Sequence, residues 1–516
     1  MALRKTSKLG IAFKGILVGG TIGTTAYAVK DVENVEDLRQ LGFIRFGRAA
    51  MKVGEIVYDY KKSLSGLVSP SQEYDDAIKN CHQRSADRLL DLACTNGGVF
   101  IKVGQHLAAM EYLIPPEFTD TLSVLMSKAP QASYEDVLYV VESEFERKID
   151  EVFTEFSEKP IGAASLAQVH VAKLKETGEK VAVKVQHRRV YKNSKSDLNT
   201  MDFLVHVADA IFPEFKLMWL VDEVKKNLPN ELNFVHEAKN ADKAREMFKH
   251  LKFLKIPQIK YGWTTQRILT MEFCEGNHVD DVDYLKKHKI NNHEVARLIG
   301  KTISEMIFLQ GYLHSDPHPG NVLVHSLGGG KFEIVLLDHG LYLNISDHFR
   351  KLYSDLWLAI MKPDLKEIKN VATKMGVGEL YGLLACIVTR RSWKSVTQGI
   401  EKSKMNDAEK DELRMYAASL IPQISEVLAR MPREMLLILK TNDLLRNIEH
   451  KLGVFGVKDG HLEMCRCVVR SNNELAIQRS DNLVQKTRLW LSMNYTLFKI
   501  ALYQYYLILA SKISFA

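Results

Sequence analysis

Between residues 31 and 150 apolar positions recur every three or four residues, and that period predicts helix. Val137, Val140 and Val141 make one such stripe. It follows Ser133-Tyr134-Glu135-Asp136, a serine with two acids in what would be the first turn. Pro115-Pro116-Glu117-Phe118 opens another helix, since proline is tolerated in a first turn. At Pro160 the pattern changes. From Ala167 to Leu174, Val169 and Val171 alternate with Gln168 and His170; Val181, Val183 and Val185 then alternate with Ala182, Lys184 and Gln186. A turn, Lys175-Glu176-Thr177-Gly178-Glu179, separates the two runs, so they predict a β-hairpin. A strand's period of two puts Ala182 and Lys184 on one face. Helix returns over 195–250, and Ile268 to Phe273 reads as a short apolar strand. Asn292 to Leu309 is an amphipathic helix. Val322 to His325 and Phe332 to Leu337 are strands about a Gly328-Gly329-Gly330 turn, and helix dominates from about 347. Leu489 to Ala510 is apolar and aromatic. It would suit a buried helix, a membrane-surface helix or a span; Lys499 and Gln504 weaken the span, and burial is the expectation taken forward.

Composition adds two constraints. The 516 residues and 46% hydrophobic content allow more than one domain with a large core. The net charge of +7 comes from 70 basic residues interspersed with 63 acidic ones, without the basic block that nucleic-acid binding would use. The six cysteines are scattered, Cys465 and Cys467 included, and suggest neither a disulfide framework nor a zinc site; a reducing compartment fits. The first thirty residues stand apart. Arg4, Lys5, Lys8, Lys14 and Lys30 precede the first acid, Asp31, as an import presequence requires. Within them Gly15, Gly19 and Gly23 recur four apart in an uncharged run. Mitochondrial targeting, with or without a membrane anchor, is expected of residues 1–30; a plain basic tail is the alternative.

The chemistry centres on HSDPHPGN, His314 to Asn321. His314 and His318 have a zinc-helix spacing, but Pro317 and Pro319 forbid a regular helix there. Phosphoryl transfer explains the stretch better. It needs an acid to position an attacking hydroxyl and oxygen ligands for magnesium. His-x-Asp with Asn five residues after the Asp is the protein-kinase catalytic-loop pattern, here Asp316 and Asn321. A hairpin then leads to Asp338-His339-Gly340, whose aspartate would take magnesium. Upstream, Val181-Ala182-Val183-Lys184 matches the strand lysine that holds the α and β phosphates.

With these motifs in this order, the chain resembles the UbiB, or aarF-domain, family of atypical kinases over about residues 85–450, most of all its mitochondrial branch. HSDPHPGN resembles that family's catalytic loop. Lys102-Val103-Gly104-Gln105 resembles its KxGQ helix, and Pro160 to Ser165 its alanine-rich loop. The resemblance implies nucleotide contacts from Gly162, Ala163, Ala164, Ser165, Ala182, Glu272 and Phe273. It implies that Glu237 pairs with Lys184, and that Lys102, Gln105 and Glu231 form a regulatory contact. Two departures stand out. The loop reads Gly-Ala-Ala-Ser rather than Ala-Ala-Ala-Ser, and a glycine at 162 is expected to relax the backbone and alter nucleotide preference. The ExD motif reads Glu231-Leu232-Asn233, which leaves Lys102 one acid of that motif and is expected to loosen its lock.

The expected fold is α+β: a bilobal protein-kinase-like fold with a small β-rich N-lobe, a helical C-lobe and an N-terminal helical extension carrying KxGQ. Expected boundaries are a targeting segment over 1–30, the extension over 31–155, the N-lobe over 156–277, the C-lobe over 278–450 and a helical region over 451–516. The expected activity is that of a mitochondrial, inner-membrane-associated atypical kinase or ATPase using ATP (or ADP) and Mg2+ in lipid homeostasis, with Asp316, Lys184, Asn321 and Asp338 catalytic and Asn321 and Asp338 on the metal. Expected partners are nucleotide and membrane lipid, with no nucleic acid. A nucleotide-dependent scaffold without turnover and a conventional Ser/Thr protein kinase are the alternatives. The absence of an Ala-Pro-Glu motif after Gly340 counts against the latter.

Overall fold

The computed structural model describes residues 41–68, 71–108, 114–126, 131–211, 218–398, 427, 430–454 and 458–513. The expected targeting segment at 1–30 lies outside them. The chain divides into two compact units, Met1–Leu232 with Thr265–Ile268, and Asn233–Thr264 with Leu269–Ala516.

The first unit begins with helices α1 (Gly42–Ser63), α2 (Gln72–Asn96), α3 (Val99–Ala108), α4 (Pro116–Leu122) and α5 (Tyr134–Phe145). The local signals act as read. Ser133 Oγ accepts the Asp136 N–H at the start of α5, and Val137, Val140 and Val141 are buried. Pro115 precedes the first turn of α4. Strands β1 (Phe153–Phe156), β2 (Gly162–Ala163), β3 (Ala167–Leu174) and β4 (Lys180–Gln186) follow, all antiparallel where they pair. Helices α6 (Val190–Ile211) and α7 (Met218–Glu231) complete the unit. Its core gathers Val99, Phe100, Ile101, Leu122, Leu125 and Leu228 from α3, α4, α7 and the turn after α4. Beside that core Arg45 of α1 holds Asp197 of α6 through Nε at 2.9 Å and Nη2 at 2.5 Å, both side chains 3% exposed.

One face of the hairpin departs from its hydropathy. Gln168 and His170 are the buried pair on β3, whereas Val169 and Val171 are only partly buried. Hydrogen bonding makes the burial affordable: His170 Nε2 meets Gln168 Nε2 at 3.0 Å and His170 Nδ1 meets the Ser157 carbonyl at 2.7 Å. The apolar face is therefore the one left open.

The second unit opens with α8 (Phe234–Met247) and β5 (Leu254–Lys255). After β6 (Ile268–Glu272) come β7 (Asn277–His278) and α9 (Asn292–Ser304), whose end widens into a π-helical turn over Glu305–Gln310. Gly311, at φ 62°, reverses the chain into β8 (Tyr312–His314). Strands β9 (Val322–Gly328) and β10 (Lys331–Leu336) form the expected hairpin, flanked as β5-β10-β9-β7. A second small sheet pairs β8 with β11 (Tyr342–Asn344), Tyr342 opposite His314. Below these lie α10 (Asp347–Met361), α11 (Arg433–Lys451), α12 (Lys458–Arg479) and α13 (Leu483–Ile513). Helix α12 packs on α9 and α10, and α13 packs on α12. Cys465 and Cys467 are buried in α12, where structural cysteines belong. The C-terminal helix contradicts the burial expected of Leu489 to Ala510. Among the described side chains only Met493 is fully covered, while Trp490, Tyr495 and Phe498 are more than half exposed. The reason is geometric: α12 covers a single face of an isolated last helix.

Candidate active site

The first unit presents Lys184 on β4 opposite Val169, and Ala182 opposite Val171. Gly162 pairs with Val169 as well, so the Gly162–Ser165 loop folds along the same open face. The loop is held by the Ala164 N–H, which donates to the Ala167 carbonyl at 2.8 Å, and by His187 Nε2, 3.0 Å from the Ala164 carbonyl. Ser165 is nearly buried beneath it. A small residue, two valines and a lysine thus line one slope.

Gly162 itself corrects an expectation. It sits in extended β2 and has no positive φ, and a Cβ added there would meet nothing within 4 Å. Neither strain nor space demands glycine, so the departure from alanine does not reshape the loop.

The KxGQ segment occupies α3, and each residue has a physical task. Lys102 Nζ lies 2.7 Å from Glu231 Oε2, with 14% and 9% of the side chains exposed. Gly104 admits Leu125, whose Cδ1 would stand 2.4 Å from an added Cβ. Gln105 Nε2 donates to the Leu125 carbonyl at 2.8 Å. Asn233 is the N-cap of α8, its Oδ1 accepting from the Val235 and His236 N–H groups at 3.1 and 3.3 Å. The Lys102–Glu231 pair is formed with an amide rather than a second acid at 233.

In the second unit HSDPHPGN forms the end of β8, a loop and a 3-10 turn over Pro319–Asn321. His314 ties the Asp316 loop to the Asp338 turn. Its Nδ1 accepts the Asp316 N–H at 3.1 Å, and its Nε2 lies 2.7 Å from the Asp338 carbonyl. One neutral tautomer satisfies both contacts, with the proton on Nε2. Complete burial holds the ring below the usual imidazole range, which favours that neutral form. His318 caps the 3-10 turn by accepting the Gly320 N–H. Both histidines are therefore occupied by loop architecture. Asn321 Nδ2 donates to the Asp316 carbonyl at 3.1 Å, which fixes its amide and leaves Oδ1 as the end that can ligate a cation.

Asp338 adopts φ 52°, a left-handed conformation uncommon outside glycine, and its Oδ1 accepts the Gly340 N–H at 3.2 Å. Glu237 is buried in the first turn of α8. A Cβ added at Gly340 would stand 3.2 Å from Asp338 Oδ1 and 3.7 Å from Glu237 Oε2. Two carboxylates thus converge over a bare backbone, a cradle that any side chain at 340 would fill. Among the described residues no three His, Cys, Asp or Glu side chains form a self-sufficient metal cage. Magnesium takes one or two protein carboxylates and completes its shell with phosphates and water, so the Asp338 carboxylate and the Asn321 Oδ1 are of the type that could hold it.

His339 is buried between the Tyr342 hydroxyl at 2.8 Å and the Leu336 carbonyl at 3.0 Å. Its carbonyl accepts from Asn240 Nδ2, and Asn240 Oδ1 accepts the Tyr312 hydroxyl at 2.9 Å. Asn240 lies one turn beyond Glu237 on α8 and was missed in the sequence; a second polar residue on a helix face that must be buried was its signal. Lys440 of α11 was missed as well. Its Nζ lies 3.3 Å from Asp316 Oδ1, and no local pattern announces a partner 124 positions away. The Glu272 carboxylate is bound by Lys255 at 2.7 Å and the Gln258 N–H at 3.3 Å. Phe273 follows β6 half-buried, and Gly276 beyond it is indispensable, since a Cβ there would lie 2.7 Å from the Val324 carbonyl oxygen.

The structure therefore assembles two sets. Gly162–Ser165, Ala182 and Lys184, with the Lys102–Glu231 pair, belong to the first unit; Glu237, Glu272, Phe273, Asp316, Asn321 and Asp338 belong to the second. Lys184 and Glu237, which the resemblance expects to pair, fall in different units.

Comparison with known proteins places this geometry. Residues 124–372 match the model of the ABC1 atypical kinase-like domain. The chain is 46% identical to "AarF domain-containing protein kinase 1" of Xenopus tropicalis, over 91% of this chain and 90% of the other. It is 43% identical to "AarF domain-containing kinase 1" of Drosophila melanogaster, over 98% and 97%. It is 37% identical to the "ABC1 family protein MCP2 homolog" of Schizosaccharomyces pombe, over 84% and 79%.

Proposed function

Since the chain belongs to the ABC1/AarF family of atypical kinases, with its α+β kinase-like fold, we propose that it binds ATP or ADP with magnesium and catalyses hydrolysis or phosphoryl transfer. The convergence of Asp338 and Glu237 over Gly340, beside the fixed amide of Asn321, carries this reading. Asp338 and Asn321 would hold the magnesium. Bound there, it would neutralise charge developing on the phosphates. Lys184 would orient the α and β phosphates and Glu237 would brace it. Gly162 to Ser165 and Ala182 would bound the nucleotide, with Glu272 and Phe273 at the base. Asp316, more than one-third exposed, would orient the attacking hydroxyl or water and accept its proton. His314 keeps the Asp316 and Asp338 backbones in register.

We place the activity at the mitochondrial inner membrane, in lipid homeostasis. The acid-free basic start supports the address. A nucleotide-binding scaffold is the second reading, and the cation of Lys440 resting on the candidate base favours it. Magnesium-dependent ATP turnover by the full chain, with and without anionic liposomes, separates the two. Turnover that falls about 10²-fold or more in Asp338→Asn supports the enzyme. Nucleotide binding with equal inertness of both proteins favours the scaffold.

A further inference from the structure

We infer that the outward face of α13 is an interfacial helix that lies on an anionic lipid bilayer. The inward face packs on α12. Met493 is buried, and Arg466 Nη2 of α12 donates to Gln504 Oε1 at 2.6 Å. Outward stand Trp490, Leu491, Tyr495, Phe498, Leu502 and Tyr505, each between 54% and 63% exposed. Apolar residues exposed one at a time are ordinary, but a run of them on one face of one helix is not.

Three observations choose the occupant. The first is charge. Between Leu483 and Ile513 there is no Asp or Glu, while Lys486, Arg488, Lys499 and Lys512 are present. A second copy of this helix would bring cations against cations, whereas an anionic headgroup layer complements them. The second is shape. At 3.6 residues per turn the exposed apolar positions from Trp490 to Tyr495 sweep an arc of about 140°. That is broader than the narrow seam of a paired helix and suits a plane of lipid. The third is residue type. Trp490, Tyr495 and Tyr505 join a ring to a polar edge, the combination that favours the headgroup level. Lys499 Nζ lies 4.3 Å from the Tyr495 ring centroid, so its stem runs along the same face toward the headgroups. Among the described residues no helix is long and apolar enough to cross a membrane. The inference gives the membrane association proposed above a location in the chain and does not depend on the nucleotide chemistry.

The test uses the full chain without nucleotide, and vesicles of phosphatidylcholine alone or mixed with phosphatidylglycerol. Lipids brominated in the acyl chain quench tryptophan at membrane depth, and Trp490 is one of five tryptophans. Quenching is expected with the anionic vesicles, to weaken with salt, and to shrink in Trp490→Phe. The pair Phe498→Ser and Leu502→Ser is expected to weaken vesicle binding roughly tenfold or more with unchanged circular dichroism. Vesicle binding with equal quenching in wild type and Trp490→Phe would overturn the inference, because another segment would then carry the attachment. So would an absence of vesicle binding, or a lipid-free dimer by light scattering that the double variant dissociates. None of these outcomes alters what Asp338→Asn reports about turnover.

Discussion

His314 spends both ring nitrogens on the backbone, one as acceptor and one as donor, so it cannot be replaced by shape alone. His314→Leu leaves the Asp316 N–H and the Asp338 carbonyl without that partner. A loss of about 1–3 kcal/mol in urea unfolding is expected, with turnover lowered further because the loop and Asp338 part company. Lys440 behaves differently. Its pair with Asp316 is partly exposed, so Lys440→Met should change stability by less than about 1 kcal/mol. If Lys440 orients Asp316, turnover falls in that variant while Tm holds; unchanged or increased turnover would make the lysine a bystander or a brake. Gly162→Ala, which restores the alanine-rich loop, should leave nucleotide affinity unchanged. It should raise stability by about 0.4–1 kcal/mol through the unfolded chain alone, because open space already awaits the methyl group. A changed ATP-to-ADP preference in isothermal titration would contradict that.

Among the elements, those fixed by neighbours in the chain were legible and those fixed by distant partners were not. The β3–β4 hairpin, the Ser133 cap and the His314–Asn321 loop each follow from a few consecutive residues. Periodicity alone does not say which face of β3 turns inward, because the hydrogen bonds that make Gln168 and His170 buriable come from the fold. Hydropathy misjudged α13, since an apolar helix is buried only if neighbours exist on every side. Arg45 with Asp197, 152 positions apart, left no trace in the sequence. Breaking that buried pair should be severe: Asp197→Ala leaves a charged guanidinium in the core of α1 and α6, at a cost of about 3–5 kcal/mol in chemical unfolding. The cap of α8 offers a gentler probe. Asn233→Ala should cost about 1 kcal/mol, whereas Asn233→Asp keeps the capping oxygen and should be neutral or slightly stabilising at the positive end of the helix.

For the molecule as a whole, burial keeps His82, His170, His187, His314 and His318 below the ordinary imidazole range. The unfolded chain binds protons at these sites more readily than the folded one. Their contribution is therefore complete above about pH 6.5 and lost as pH falls through the depressed folded values. Glu449 and Asp197, both raised by burial, act in the opposite sense with two protons against five, so the histidines dominate. The urea midpoint should decline as pH drops below about 6.5, and a flat profile between pH 7 and 5.5 would refute this account.

The first compact unit is discontinuous: Thr265–Ile268 returns to it after an excursion of the chain through α8 and β5. There the Arg267 carbonyl accepts the Gln186 N–H at 3.0 Å, and Thr265 Oγ1 lies 2.6 Å from Glu144 Oε2. On a ribosome, which releases the chain from its N-terminus, that unit cannot close when Leu232 emerges. It must wait with β4 incompletely bonded until a stretch of the second unit has also been synthesised. Nascent chains halted shortly after residue 232 should then be cut by protease within the β3–β4 hairpin, and chains extended well past Ile268 should resist.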